Sequence, residues 1–66
     1  MLIELNGEPF ELAAETTLGM LIAKMQLEGK RIAIEVNAEI VPRSQHQTYI
    51  LAASDKVEIV HAIGGG

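Results

Sequence analysis

Met1-Leu2-Ile3-Glu4-Leu5-Asn6-Gly7-Glu8-Pro9-Phe10-Glu11-Leu12-Ala13 holds an alternation, a turn and a second alternation. Met1, Ile3 and Leu5 fall on one side, and Leu2, Glu4 and Asn6 on the other, the pattern of a half-buried strand. Asn6-Gly7 follows. Both residue types tolerate positive φ, and this pair between alternating runs is the strongest short-range hairpin signal. Glu8 to Ala13 then returns as a second strand with Phe10 and Leu12 inward. Pro9 has no N–H to give to a ladder, so this strand belongs at a sheet edge.

Beyond the hairpin, Leu18, Leu21, Ile22 and Met25 recur at helical spacing and form one apolar stripe. Thr16 and Thr17 are candidate N-caps, Glu15 stands where a helix dipole favours it, and Gly29 reads as the stop. The spacing predicts a helix over 17–28, weakened somewhat by Gly19 near its start. Arg31 to Asn37 alternates again, with Ile32, Ile34 and Val36 inward. A turn at Asn37-Ala38-Glu39 leads to a short strand at Ile40-Val41. Pro42 to Thr48 reads as a polar loop with room for one helical turn. A short strand is expected at Tyr49-Ile50-Leu51, a turn at Ala53-Ser54-Asp55, and a last strand from Lys56 to Ile63. In that strand Val57 and Ile59 face inward and Glu58 and Val60 outward.

A hairpin, a helix and a return strand imply an α+β fold, one mixed sheet with a single main helix on one face. A right-handed crossover places the last strand parallel to the first, at the sheet centre. That is a β-grasp, or ubiquitin-like, arrangement. The expected organisation is one domain over 1–63 followed by a flexible glycine tail over 64–66.

Size and composition limit what such a domain can do. At 66 residues with 48% hydrophobic content, one Phe, one Tyr and no Trp, the core is aliphatic and leaves little apolar surface for a deep pocket. The absence of cysteine excludes a disulfide framework, a thiolate zinc site and a cysteine nucleophile. Nine acidic residues against five basic give a net charge of -4. No Lys/Arg cluster is present to neutralise phosphates, so no nucleic-acid partner is expected. An acidic surface instead favours a protein with a basic docking face. With no basic n-region and no long apolar run, neither a signal peptide nor a membrane span is expected. The expected location is the cytoplasm.

The unusual feature is Gly64-Gly65-Gly66 directly after a strand. Glycine is about 7% of residues, so two terminal glycines arise by chance in roughly 0.5% of chains. The plain reading is a frayed end. The chemical reading uses each residue. Without Cβ atoms, Gly64 and Gly65 form a thin thread that can enter a partner's channel, and the three glycines together reach about 10 Å when extended. A carboxylate on Gly66 is unshielded but lacks a leaving group. Coupling to AMP makes a mixed anhydride that a sulfur nucleophile can displace. No phosphate loop and no cysteine exists here to do this, so no catalytic residue is assigned and the activating enzyme must be another protein.

These residues resemble the sulfur carrier family of bacterial thiamine biosynthesis over essentially the whole chain. The resemblance rests on Leu5-Asn6-Gly7-Glu8, on Val36-Asn37 with Glu39-Ile40-Val41-Pro42-Arg43-Ser44, on Asp55-Lys56-Val57-Glu58-Ile59-Val60 and on the Gly65-Gly66 end. The Ile-Val-Pro-Arg stretch is its more specific part, because a Gly-Gly end is common to ubiquitin-like proteins. The resemblance implies a protein that is not an enzyme and holds no cofactor, since ATP is used by its partner. An E1-like adenylyltransferase would adenylate Gly66. Sulfur mobilised from cysteine by a desulfurase would convert it to a thiocarboxylate, and thiazole synthase would receive that sulfur. Ala38 and Ser54 stand where many relatives have glycine.

Alternatives of the same shape are a carrier like the small subunit of molybdopterin synthase, a ubiquitin-like modifier conjugated to lysines, and a plain interaction module. Val60, Ala62 and Ile63 flank the tail and form a candidate partner surface, since the exposed sheet face is the usual contact surface of ubiquitin-like proteins. His46 in a polar loop and His61 near a strand end do not suggest a metal site. Arg43 reads as an exposed loop charge with a turn role, and Lys24, Lys30 and Lys56 as solvated charges.

Overall fold

Strands β1 (Leu2–Leu5) and β2 (Glu8–Glu11) pair antiparallel, with Leu5 opposite Glu8, in the computed structural model, which describes residues 1–61. Asn6 and Gly7 take φ values of 50° and 86°, so the two-residue turn is built from left-handed conformations as its sequence requires. The remaining elements are α1 (Leu18–Lys24), β3 (Ile32–Val36), β4 (Glu39–Ile40), a 3₁₀ turn (Arg43–Gln45) and β5 (Lys56–His61). The sheet order is β2-β1-β5-β3-β4. β5 runs parallel to β1 and antiparallel to β3. The last strand is therefore central and the Pro9 strand lies at an edge, as the sequence predicts. This is the β-grasp arrangement.

Alternation is obeyed in β1, β3 and β5. Ile3, Leu5, Ile34, Val36, Val57 and Ile59 are buried and meet Leu18, Leu21 and Ile22 of the helix. Leu12, Val41 and Leu51 close the margins of that core. One face of the sheet is thus covered and the other left open.

Two expectations are corrected. The helix is shorter than 17–28. It is capped by Thr17, whose hydroxyl accepts the Met20 N–H at 3.1 Å, and it ends at Lys24. Gln26 turns left-handed at φ 60°. The Leu27 N–H bonds to the Ile22 carbonyl at 2.9 Å and the Gln26 N–H to the Ala23 carbonyl at 3.0 Å, the hydrogen-bond pattern of a Schellman stop. The stop comes early because Leu27 packs back against the core, and Gly29 (φ 76°) serves the next turn instead. Glu15, itself at φ 65°, lies outside the first helical turn, which holds no acidic residue. The second correction concerns Tyr49-Ile50-Leu51, which forms no strand but a single bridge, Ile50 to Thr17. The segment is anchored by Leu51, which is buried and donates its N–H to the Thr16 carbonyl at 2.9 Å.

Candidate functional site

In sequence, Gly64-Gly65-Gly66 come after β5, which ends at His61. β5 is clamped from both sides. On one side it pairs with β3 from Val57 opposite Val36 to His61 opposite Ile32. On the other side, β1 pairs only through Glu4 with Lys56 and Leu5 with Val57. Asn6 extends that edge. Its N–H bonds to the Val57 carbonyl at 2.9 Å, and its Oδ1 accepts the Ile59 N–H at 2.8 Å. One asparagine therefore makes the hairpin turn and supplies a ladder bond two residues before the strand's last described position.

A second polar tie holds the start of β5. Asn37 Oδ1 accepts the Lys56 N–H at 3.0 Å, while its Nδ2 donates to Asp55 Oδ1 at 3.0 Å. Asp55 Oδ2 accepts the Ala52 N–H at 2.8 Å. Two turns far apart in sequence are joined by these side chains. Sequence reasoning identified Asn6 and Asn37 only as turn residues, because nothing local announces a partner 53 or 19 positions away.

The open sheet face presents the exposed side of β5. Val60 is 58% exposed and lies opposite Ala33. Glu58 lies opposite Glu35, and Glu35 opposite Ile40, which is 67% exposed. Among the described residues the recorded ion pair joins the Met1 amino group to Glu11 at 2.7 Å; Glu35 and Glu58 oppose each other on the face that also carries Lys56, two residues before Glu58. Alternation marks both glutamates as outward-facing, but their opposition needs the strand register.

Of the residues singled out from the sequence, Val60 is thus on the open face. Ala62, Ile63, Gly64, Gly65 and Gly66 lie outside the described residues. His46 is not a loop-surface residue. It is 6% exposed, and its Nε2 lies 3.0 Å from the Val41 carbonyl, so it fastens the segment after β4. His61 is exposed, and the described residues contain no cluster of His, Asp or Glu able to hold a metal ion. Arg43 has a turn role, donating from Nη2 to the Lys30 carbonyl at 3.3 Å. No helix is long and apolar enough to cross a membrane among the described residues.

Residues 3–66 match the model of the ThiS family. Sulfur carrier protein ThiS of Bacillus subtilis is 36% identical over 66 residues, covering 98% of this chain and 100% of that protein. A thiazole synthase of Magnetococcus marinus is 39% identical over 66 residues, and the chain spans 20% of its length. The crystal structure of a thiamine biosynthesis protein (ThiS) from Geobacter metallireducens matches with a TM-score of 0.87 over 100% of both chains, at 23% identity, and so shares the fold.

Proposed function

The chain belongs to the ThiS family, and on that premise we propose that it carries sulfur on Gly66 as a thiocarboxylate. It is a sulfur carrier of thiamine biosynthesis, a small protein substrate and not a catalyst. The observation that carries the finer reading is the extent of the family match, which runs to residue 66 and so takes in the glycine tail.

An E1-like adenylyltransferase supplies the activation. The Gly66 carboxylate attacks the α-phosphate of ATP, pyrophosphate leaves, and an acyl-adenylate forms. The outer sulfur of a persulfide charged by a cysteine desulfurase then displaces AMP to give an acyl disulfide, and a thiol cleaves its S–S bond, forming a disulfide with the departing sulfur and leaving the thiocarboxylate. Thiazole synthase takes the sulfur. That a thiazole synthase of Magnetococcus marinus contains a region similar to this whole chain supports this partner. Gly64 and Gly65 give the tail its narrow section, residues 1–63 form the folded carrier, and the cytoplasm is the compartment.

Intact-mass measurement tests this directly. Incubation with the adenylyltransferase, ATP, cysteine and a desulfurase is expected to exchange one oxygen for sulfur at the C-terminus. Deleting Gly66 is expected to abolish that shift and, in cells, to impose a requirement for thiazole. An unchanged mass, with the enzymes active on a known carrier, overturns the reading.

A further inference from the structure

We propose that Asn6 is a positioning residue for activation of the tail. Its side-chain amide holds the end of β5 in the sheet, so that the chain enters the adenylyltransferase from a fixed base. This rests on the carrier reading above and adds a residue at the opposite end of the sequence on which that reaction depends.

The two edges of β5 are held unequally. Toward β3 the pairing runs to His61 opposite Ile32. Toward β1 it stops at Leu5 opposite Val57, because the chain of β1 turns away at Asn6-Gly7. The Ile59 N–H faces that abandoned side, and a strand N–H without an acceptor weakens the ladder. Asn6 Oδ1 accepts it at 2.8 Å, while the Asn6 N–H donates to the Val57 carbonyl at 2.9 Å. A side-chain oxygen thus stands in for the backbone carbonyl that β1 would supply had the strand continued.

The turn alone does not explain the choice of asparagine. Asn6 sits at φ 50° and Gly7 at φ 86°. Gly-Gly and Asp-Gly meet the same requirement, and glycine adopts the left-handed region at no steric cost. What glycine lacks is the acceptor for Ile59. The residues that gain from that acceptor are Val60 and His61, which are exposed and lie between Ile59 and the tail in sequence. Neither belongs to the buried core, so the bond orders the end of the strand more than it stabilises the domain. Each residue that frays there must be ordered again when an enzyme takes the tail, and that ordering is subtracted from affinity.

The test separates position from stability. Asn6→Gly keeps the left-handed turn and removes the acceptor. It is expected to speed amide exchange at Ile59, Val60 and His61 by about tenfold, while the amide of Val36, opposite Val57, barely moves. In adenylation followed as pyrophosphate release, it is expected to raise KM for the carrier about tenfold and to leave kcat within about twofold. Asn6→Asp keeps both the turn and the acceptor, and should return KM to within about twofold of the original. Thr17→Ala is the control, because it loosens the helix cap without touching β5. It is expected to lower the unfolding midpoint and leave KM unchanged, whereas a merely structural Asn6 would make the two variants alike at equal loss of stability. Unchanged KM or unchanged exchange in Asn6→Gly, an equal rise of KM in Thr17→Ala, or no rescue by Asn6→Asp overturns the proposal. The carrier reading survives any of these if sulfur still replaces oxygen at Gly66. An unsubstituted chain that is never adenylated overturns the carrier reading, and this proposal with it.

Discussion

At the residue scale, the turns hold side chains in conformations that suit glycine. Ala38 sits at φ 70° and Ser54 at φ 72°, in the left-handed region that favours glycine. Ala38 is the second residue of a two-residue turn between Val36 and Glu39, preceded by Asn37 at φ 53°. Asparagine tolerates the left-handed region, whereas alanine has a Cβ that crowds the next carbonyl, costing roughly 1–2 kcal/mol. A glycine there loses about 0.5–1 kcal/mol more chain entropy on folding. Ala38→Gly and Ser54→Gly are therefore each expected to stabilise the domain by roughly 0.5–1 kcal/mol. Thermal unfolding should register this as a rise of about 2–8 °C. No gain from either would mean that the surrounding hydrogen bonds already absorb the strain.

At the scale of the element, the helix is the marginal part. It has 7 residues, too few to be stable in isolation, so its ends and its buried stripe must hold it. Thr17→Ala removes the acceptor of the Met20 N–H and is expected to cost about 1 kcal/mol in denaturant unfolding. Gln26→Gly replaces a left-handed glutamine at φ 60° with the residue that such a stop favours, and should stabilise by about 0.5–1 kcal/mol. The two changes act at opposite ends of one element with opposite signs. The same readout on both isolates the caps from the packing. The stripes of β1, β3 and β5 were legible because period two is kept where a strand buries one face against the helix. The helix stop was not, because Leu27 is drawn back to the core and overrides the local preference for glycine.

For the whole molecule, one aliphatic core carries the stability. A domain of this size has about 3–10 kcal/mol in all. Leu21 is 0% exposed and sits between helix and sheet. Leu21→Ala is expected to cost about 2–5 kcal/mol through lost transfer energy and a cavity. That leaves a large unfolded fraction near physiological temperature, visible as lost amide protection across the sheet. Such a variant would fail in cells by unfolding, with the proposed Gly66 chemistry left unaltered in sequence. The same smallness leaves little room for a deep pocket inside the core, which is consistent with the carrier chemistry proposed above.

The sequence by itself determined strands β1, β2, β3 and β5, the hairpin at Asn6-Gly7 and the edge position of the Pro9 strand, because each is set by residues within a few positions of one another. Periodicity, turn stereochemistry and the missing proline N–H are all local physics. Only the tertiary structure decided that Asn6 bonds Ile59, that Asn37 ties two turns, that His46 is buried, and that Glu35 meets Glu58. Each of these depends on strand order and register, which arise from closing long loops around a shared core.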